Sequence, residues 1–497
     1  MADQTKTTPT FTVTIGDGKQ AAPAEELPKA ATKAYTWSDG KQQLNYDATA
    51  EYLDVKEDDG TLIGHMFMLS YVTDQQDKTD RPVTFCWNGG PGGSSAMVNI
   101  GGLGPRRVPI SKVSQLPCPT QPEDNPWSLL PSTDLVYIDA LGTGYSKVAP
   151  GYDPKKVWGV DGDADAFMRG IAAWLTAHDR WNAPLYLYGE SYGTMRNAVL
   201  MRVLGEHGIA VTGVIEQSTI LDYAYTLSGN DFYYMGMVPV YAATANYFGK
   251  AGKGVDQFEW FDKAWQFVDD ELGRALVKSD ELDPGEEMAV AQKMSELIGL
   301  PAEFIQKRHL RIELDTFRKA ILADEGLFCG RYDMRFTEAA YMDVQGDNEF
   351  FAGEDPSGDA IMTPDQSAWM KLVQETGFKG SPNNMLLSMK VNEEWNWTHQ
   401  APGTMGSPSC PNTAYDMGTA LRRNPHCRVL FFGGIHDAAT PFWNVKHAIS
   451  KMFLPDYLKE RIEYHVHENG HMAYEDQSTL EKMAPELAAF YEKRHQD

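Results

Sequence analysis

Pro184-Leu185-Tyr186-Leu187-Tyr188-Gly189-Glu190-Ser191-Tyr192-Gly193 is the stretch on which the fold turns. An apolar run ends in Gly-x-Ser-x-Gly, and helical spacing follows through Met195, Leu200, Val203 and Leu204 to Gly208. A buried strand that passes through a glycine-flanked serine straight into a helix is a nucleophile elbow. The glycines let the chain double back without side-chain clashes. The helix N-terminus behind Ser191 favours developing negative charge.

The same rhythm extends to either side. Short apolar runs lie at 83–87, 134–138, 211–215, 428–432 and 461–467, and helical spacing appears at 164–178 and 480–494. Buried strands alternating with amphipathic helices predict an α/β fold, a mostly parallel central sheet flanked by helices on both faces. Residues 44–72 alternate like an antiparallel hairpin turning at Asp58-Asp59-Gly60. Between about 220 and 397 the βα rhythm is lost. Helical patterns fill that stretch at 256–278, 286–298, 302–306 and 364–375, the last with Thr363 as N-cap and Pro364 at the first helical position, and 346–359 reads as loop. The expected organisation is a flexible tail at 1–35, a first core segment at 36–220, a large, mainly helical cap insertion at 221–398 and a second core segment at 399–497.

Composition narrows the function. With 497 residues, 42% hydrophobic and 23% charged, the chain is an ordinary globular one with room for a large core. Against 44 Lys and Arg stand 69 Asp and Glu, a net charge of −25 that repels nucleic-acid phosphates and anionic membranes. No apolar run reaches the roughly 18 residues of a membrane span. Cys86, Cys118, Cys329, Cys410 and Cys427 form no CxxC pair, so neither a structural zinc site nor a thioredoxin-like motif is expected. The N-terminus has no apolar signal region, which places the chain in the cytoplasm as it stands, or in the periplasm or outside the cell had a signal been removed.

A serine hydroxyl needs a base, and the base needs an orienting acid. Two further strand ends offer them. Gly433-Gly434-Ile435-His436-Asp437 releases an acid into a loop, and His467-Glu468-Asn469-Gly470-His471 releases a histidine. Ser191, Asp437 and His471 thus follow in the order serine, acid, histidine at the carboxyl ends of strands, where such sheets build their sites. His436 adjoins the acid and is not on a separate loop. His465 and His467 lie within a strand, so no metal is assigned.

Several motifs now form a set. Trp87-Asn88-Gly89-Gly90-Pro91-Gly92-Gly93-Ser94-Ser95 resembles the N-G-G-P-G-x-S-S motif of the serine carboxypeptidase family, a branch of the α/β-hydrolases. Asn125-Pro126-Trp127-Ser128, Asp139-Ala140-Leu141-Gly142-Thr143-Gly144-Tyr145-Ser146, Gly189-Glu190-Ser191-Tyr192, Gly434-Ile435-His436-Asp437 and Gly470-His471-Met472 resemble its later signatures in order, and Pro239-Val240-Tyr241-Ala242 resembles bacterial members. The resemblance implies an α/β-hydrolase fold and a serine-type carboxypeptidase without a cofactor, acting on peptides or small acyl substrates. It assigns nucleophile, base and acid to Ser191, His471 and Asp437, the oxyanion hole to the N–H groups of Gly90 and Tyr192, and substrate binding to Asn88, Gly89, Glu190 and Met472. Glu190 would have to be protonated to donate to a substrate carboxylate, which favours acidic pH. There are departures. Gly102 stands where the family has a second glutamate before Leu-Gly-Pro, Cys86 where it has a tryptophan, and Gly93 where a cysteine is frequent. Arg106 and Arg107 follow that segment as a possible carboxylate clamp or as structural ion pairs. The same triad would also serve an esterase or acyltransferase acting on small molecules, and an inactive binding protein with a relic fold is the third reading. Nothing in the sequence fixes the oligomeric state.

Overall fold

The computed structural model describes residues 27–74, 78–110, 112–114, 116, 118–340, 355–405 and 410–496. Its main sheet is built from β1 (Ala31–Ser38), β2 (Gln43–Lys56), β3 (Leu62–Thr73), β4 (Val83–Trp87), β5 (Asp134–Ile138), β6 (Leu185–Glu190), β7 (Gly213–Gln217), β8 (Arg428–Gly434) and β9 (Ile462–His467). The order across the sheet is β1-β2-β3-β5-β4-β6-β7-β8-β9, and the short strand Lys147–Val148 adds to β3. The hairpin pairs Tyr46 with Thr73 and Leu53 with Met66 in antiparallel register. β3 runs antiparallel to β5, and every pairing from β5 onward is parallel. β1 starts at Ala31, inside the segment expected to be tail, because Ala31 to Ser38 pair residue by residue with β2.

A parallel sheet must be covered on both faces, and here the alternation of side chains does the sorting. Phe85 and Trp87 of β4 face one core layer with Phe167, Ile171 and Trp174 of helix Val160–Ala177. Cys86 faces the opposite layer with Tyr137, Tyr188 and Tyr491, under helix Gln477–Glu492. Trp87 meets Phe167 edge-on at 4.9 Å. Because a one-residue offset in a strand reverses the face, Trp87 does not stand in for the tryptophan that Cys86 replaces.

The insertion has a core of its own. Helices Asp231–Tyr247, Gln257–Phe267, Gly273–Lys278, Pro284–Ile298 and Leu314–Ala320 enclose Met237, Val268, Leu297 and Phe317, with Tyr241 stacked on Phe317 at 4.0 Å. Asp256 and Asp283 cap two of these helices through their carboxylates, so the first starts one residue after the expected 256 and the second two residues before the expected 286. Helix Asp231–Tyr247 carries no polar stripe and holds Pro239, so its periodicity was invisible in the sequence.

The last helix of the insertion corrects an expectation. It spans Pro356–Glu375, not 364–375. Asp355 accepts from the amides of Ser357 and Gly358, and Pro356 occupies the first turn, so Thr363 is no cap and Pro364 lies inside the helix. Residues 355–359, expected as loop, are cap and helix; the rest of the expected loop, 346–354, lies outside the described residues. This helix does not join the insertion's own core. Ile361, Trp369 and Leu372 pack into the layer beneath the sheet, against the turn Asn99–Leu103. Among the described residues no helix is long and apolar enough to cross a membrane.

Candidate active site

Ser191 sits between β6 and helix Tyr192–Glu206 with φ of 58° and ψ of −128°. Positive φ is costly for a residue with a Cβ, and it is tolerated here because neighbours fix the turn. The Ser191 N–H bonds to the Gln217 carbonyl at 3.0 Å, and its own carbonyl accepts from Thr194 N and Thr194 Oγ1. β7 therefore holds the elbow from below.

Asp437 and His471 come together from the ends of β8 and β9. His471 Nδ1 lies 2.9 Å from Asp437 Oδ2. Asp437 also accepts from the amides of Ala439 and Thr440 at 2.8 and 2.9 Å and from Thr440 Oγ1 at 2.6 Å. Thr440 Oγ1 is also 3.2 Å from His471 Nδ1. Burial raises the Asp437 carboxyl, but the His471 imidazole and these donors outweigh it and hold it below its ordinary value. Burial lowers His471, and the Asp437 charge outweighs that, so the imidazole titrates above its ordinary value. The serine and histidine loops are tied by adjacent residues: Gln217, whose carbonyl holds Ser191, donates through Nε2 to the His471 carbonyl at 3.3 Å, and Ser218 Oγ donates to the same oxygen.

The glycine-rich loop packs onto the elbow. A Cβ on Gly89 would stand 2.3 Å from the Tyr192 amide nitrogen, so only glycine allows this approach. Gly90 follows with φ of 109° and is exposed in an otherwise buried stretch. The Gly90 and Tyr192 amides thus belong to two backbone segments in contact beside Ser191. The Asp139 motif fixes that loop. Asp139 accepts from Ser95 N, Ser95 Oγ and Tyr145 N at 2.8–2.9 Å. The Asn125 motif fixes the next turn, with Asn125 Nδ2 donating to the Gly102 and Gly104 carbonyls at 2.8 Å.

Asn88 and Glu190 are bound to each other. Asn88 Nδ2 donates to Glu190 Oε1 at 2.7 Å, Tyr474 OH to the same oxygen at 3.2 Å, and Gln217 Nε2 to Oε2 at 2.7 Å. Burial pushes the Glu190 carboxyl up to about 7. The space over Gly102 is taken. A Cβ there would meet Tyr474 Cβ and Leu480 Cδ2, both at 2.6 Å. A second carboxyl arrives from another element. Asp365, on the helix packed over that same turn, is 1% exposed and its Oδ1 has no hydrogen-bond partner. Burial, with the Glu190 charge added, pushes it up to about 8. Glu475 is equally buried, both its oxygens lack partners, and burial raises it well above its ordinary value. Met472 is 4% exposed within the core layer next to His471.

Sequence reasoning missed Asp365, Gln217, Thr440 and the segment 331–335. That segment mounts both the Asp437 and the His471 loops: Tyr332 O accepts from His471 N at 2.6 Å, Asp333 Oδ2 from Gly470 N at 3.1 Å, and Arg331 O from Ala438 N at 3.2 Å. Arg106 and Arg107 take the structural role. Arg106 pairs with Asp124 at 3.3 Å, and Arg107 pairs with Glu123 at 2.6 Å and lies over Trp127. His465 and His467 share Glu486, and among the described residues no cluster of three or more His, Cys, Asp or Glu could hold a metal ion. The five cysteines are free thiols.

The buried carboxyls make stability depend on pH. An acid raised by folding keeps its proton to higher pH in the folded state, so stability falls as pH rises from its unfolded value and the loss is complete above its folded value. For Asp365 that window runs from 3.8 to about 8. We expect thermal midpoints to fall from pH 5 to pH 9, and Asp365→Asn to flatten that slope by on the order of a few kcal/mol across the window. An unchanged slope in the variant would show that Asp365 is not held protonated by the fold.

The glycine loop and the elbow meet beside Ser191. Residues 39–207 match the serine carboxypeptidase family. That match contains Asn88, Gly89, Gly90, Glu190, Ser191 and Tyr192, while Asp437 and His471 lie beyond it. Among solved structures, the chain is similar to Kex1, a prohormone-processing carboxypeptidase from Saccharomyces cerevisiae, with a TM-score of 0.51 and 14% identity over 82% of this chain and 77% of that one. The likeness establishes the α/β-hydrolase fold. Weaker likenesses reach a proline iminopeptidase from Mycobacterium smegmatis, with a TM-score of 0.35, 13% identity and coverage of 93% and 98%. They also reach a putative aryl esterase from Burkholderia cenocepacia, with a TM-score of 0.37, 12% identity and coverage of 90% and 100%. A search of curated proteins finds no match.

Proposed function

We propose that this hydrolase is a serine-type carboxypeptidase that releases C-terminal amino acids through an acyl-enzyme on Ser191. Ser191 Oγ attacks the scissile carbonyl while His471 takes its proton. Asp437 holds the imidazole tautomer and stabilises the imidazolium. The Gly90 and Tyr192 amides receive the oxyanion. The tetrahedral intermediate collapses, His471 gives its proton to the departing amine, and water repeats the sequence on the ester.

The observation that carries the exopeptidase reading is the buried Glu190, next to the nucleophile, bonded to Asn88 and titrating at about 7 with Asp365 alongside at about 8. A carboxylic acid that keeps its proton can donate to a substrate carboxylate, and an ionised one repels it. The lost glutamate at Gly102 is thereby offset from a different element. The esterase or acyltransferase reading draws on the closed space over Gly102, where Tyr474 and Leu480 leave no room for the family's second acid.

The test is a pH series on N-blocked dipeptides, each as free acid and as C-terminal amide. The free acids should show a bell. Their kcat/KM falls at low pH as His471 protonates, and falls again above about 7 as Glu190 ionises. The amides should lack the alkaline limb, so the acid-to-amide ratio drops by roughly tenfold per pH unit above that point. A ratio independent of pH contradicts a role for protonated Glu190 and Asp365. Ester hydrolysis with no peptide cleavage moves the protein to the alternative reading.

A further inference from the structure

A cavity of about 540 Å³ opens beside the acid loop. It is lined by Thr219–Leu221, which follow β7, by Ala438–Pro441, which follow Asp437, and by helix Phe442–Ser450 and parts of the insertion. Thr440, which bonds both Asp437 and His471, forms part of its wall. Asn88, Glu190 and Tyr474 do not line it. The cavity and the acid pair are therefore lined by different residues, and the cavity meets the triad at Thr440. If the departing residue lies at Glu190, this cavity is left for the acyl side.

One lining residue stands out by its state. Arg331 lines the cavity and is exposed. No hydrogen bond or ion pair of its guanidinium is found among the described residues; its contact is the Tyr332 ring at 5.3 Å. Its backbone is rigidly mounted, the N–H on the Asp355 carboxylate at 3.1 Å and the carbonyl on Ala438 N. The cavity's carboxylates are all engaged. Asp315 pairs with Arg318 at 3.0 Å. Asp222 accepts from Asn412 and the Ala224 amide and lies 4.0 Å from Lys451. Glu313 accepts from Ser228 and Tyr234. A guanidinium on a fixed backbone, without an ion-pair partner among the described residues, can receive a carboxylate, since Arg forms a bidentate fork with that group.

We infer that Arg331 selects a carboxylate carried by the acyl part of the substrate, so that peptides with glutamate before the scissile bond are preferred. The inference rests on the reading of Ser191 as the acylated nucleophile. A carboxylate in the substrate has two sources, an acidic side chain and the chain terminus, and the experiment separates them.

The measurement is kcat/KM for N-blocked Glu-Phe, Gln-Phe and Lys-Phe, each as free acid and amide. p-Nitrophenyl glutarate monoester and its neutral methyl ester are measured alongside. Wild type, Arg331→Gln and Arg331→Lys are compared, and fluorophosphonate labelling of Ser191 checks that each variant is folded. The expected Glu-to-Gln ratio in the wild type is roughly ten to a hundred, the size of a charge-assisted hydrogen bond. It should fall to about one in Arg331→Gln and be partly retained in Arg331→Lys, with the acid-to-amide ratio unmoved by either. A wild-type preference for Gln or Lys overturns the inference, the latter assigning the cavity to Glu313. A Glu-to-Gln ratio unchanged in Arg331→Gln overturns it as well. Loss of the acid-to-amide ratio instead would place Arg331 on the terminal carboxylate. If peptides are not cleaved, the carboxypeptidase reading fails while the monoester pair still reports on Arg331. If Ser191 turns over nothing, both fall.

Discussion

Ser191→Ala should lower kcat by about 10⁶ on any substrate the protein turns over, and His471→Ala by a similar factor, with the double variant no worse than either single one. The expectation follows from how the site is built. The strained elbow, with φ of 58°, presents one hydroxyl, and the histidine proposed as its base follows β9 on a loop tied to the elbow through Gln217. Neither acts without the other, so their losses do not add. The oxyanion donors survive both changes, because Gly90 and the Tyr192 amide are backbone and Gly89 keeps its close approach to the elbow. A residual rate about 10³–10⁴ above water should therefore remain. Kinetics on an activated ester checks both points, with fluorophosphonate labelling present in the wild type and absent in Ser191→Ala, and thermal unfolding to show that the variants are folded. A Ser191→Ala protein that keeps more than about a hundredth of wild-type kcat would remove the acyl-enzyme from the account, since such a rate exceeds what oxyanion donors alone supply.

Asp437→Asn should cost about 10⁴ in kcat while leaving KM and thermal stability close to wild type. Four interactions make the Asp437 site specific for a carboxylate: the Ala439 and Thr440 amides, the Thr440 hydroxyl and His471 Nδ1 all meet it. The amides keep an acceptor in the asparagine variant. The side-chain NH₂ then faces the Thr440 hydroxyl and the imidazole, which drives the proton of His471 to Nε2. That tautomer can only donate toward Ser191 and cannot take its proton. Removal of the carboxylate also takes away the charge that raises His471. The acid limb of the remaining pH profile should thus move to lower pH, a shift that a merely structural Asp437 would not produce. An unshifted limb with the same loss of rate contradicts this assignment.

The elbow and the strand ends were legible in the sequence for a plain reason. Buried parallel strands read as short apolar runs, and three of them end in glycine or a polar loop carrying a candidate residue, as at Ser191, Asp437 and His471. The order of these residues along the chain carried the rest. What escaped notice was set by tertiary packing. Asp365 lies in a helix whose start was misplaced because Pro364 looked like a first-turn proline; the Asp355-Pro356 pair carried the same signal eight residues earlier, just as Asp283-Pro284 does. Nothing local marks Asp365 as the neighbour of Glu190, because the helix reaches it by packing over the turn at Gly102. The glycine at 102 read as a lost acid. In the structure it is the position that admits Tyr474, whose hydroxyl bonds Glu190. Arg331, Tyr332 and Asp333 sit in a stretch without periodicity, and only the fold brings them under the acid and histidine loops.

The central claim is that Ser191 removes C-terminal residues because a protonated acid pair holds their carboxylate. The most direct measurement is product analysis by mass spectrometry of an N-blocked dipeptide and its C-terminal amide, incubated near pH 6 with wild type and with Ser191→Ala. The account predicts a free amino acid and the blocked residue from the acid, little release from the amide, and neither product with the variant. Equal cleavage of acid and amide, or an intact dipeptide beside Ser191-dependent ester hydrolysis, would contradict it.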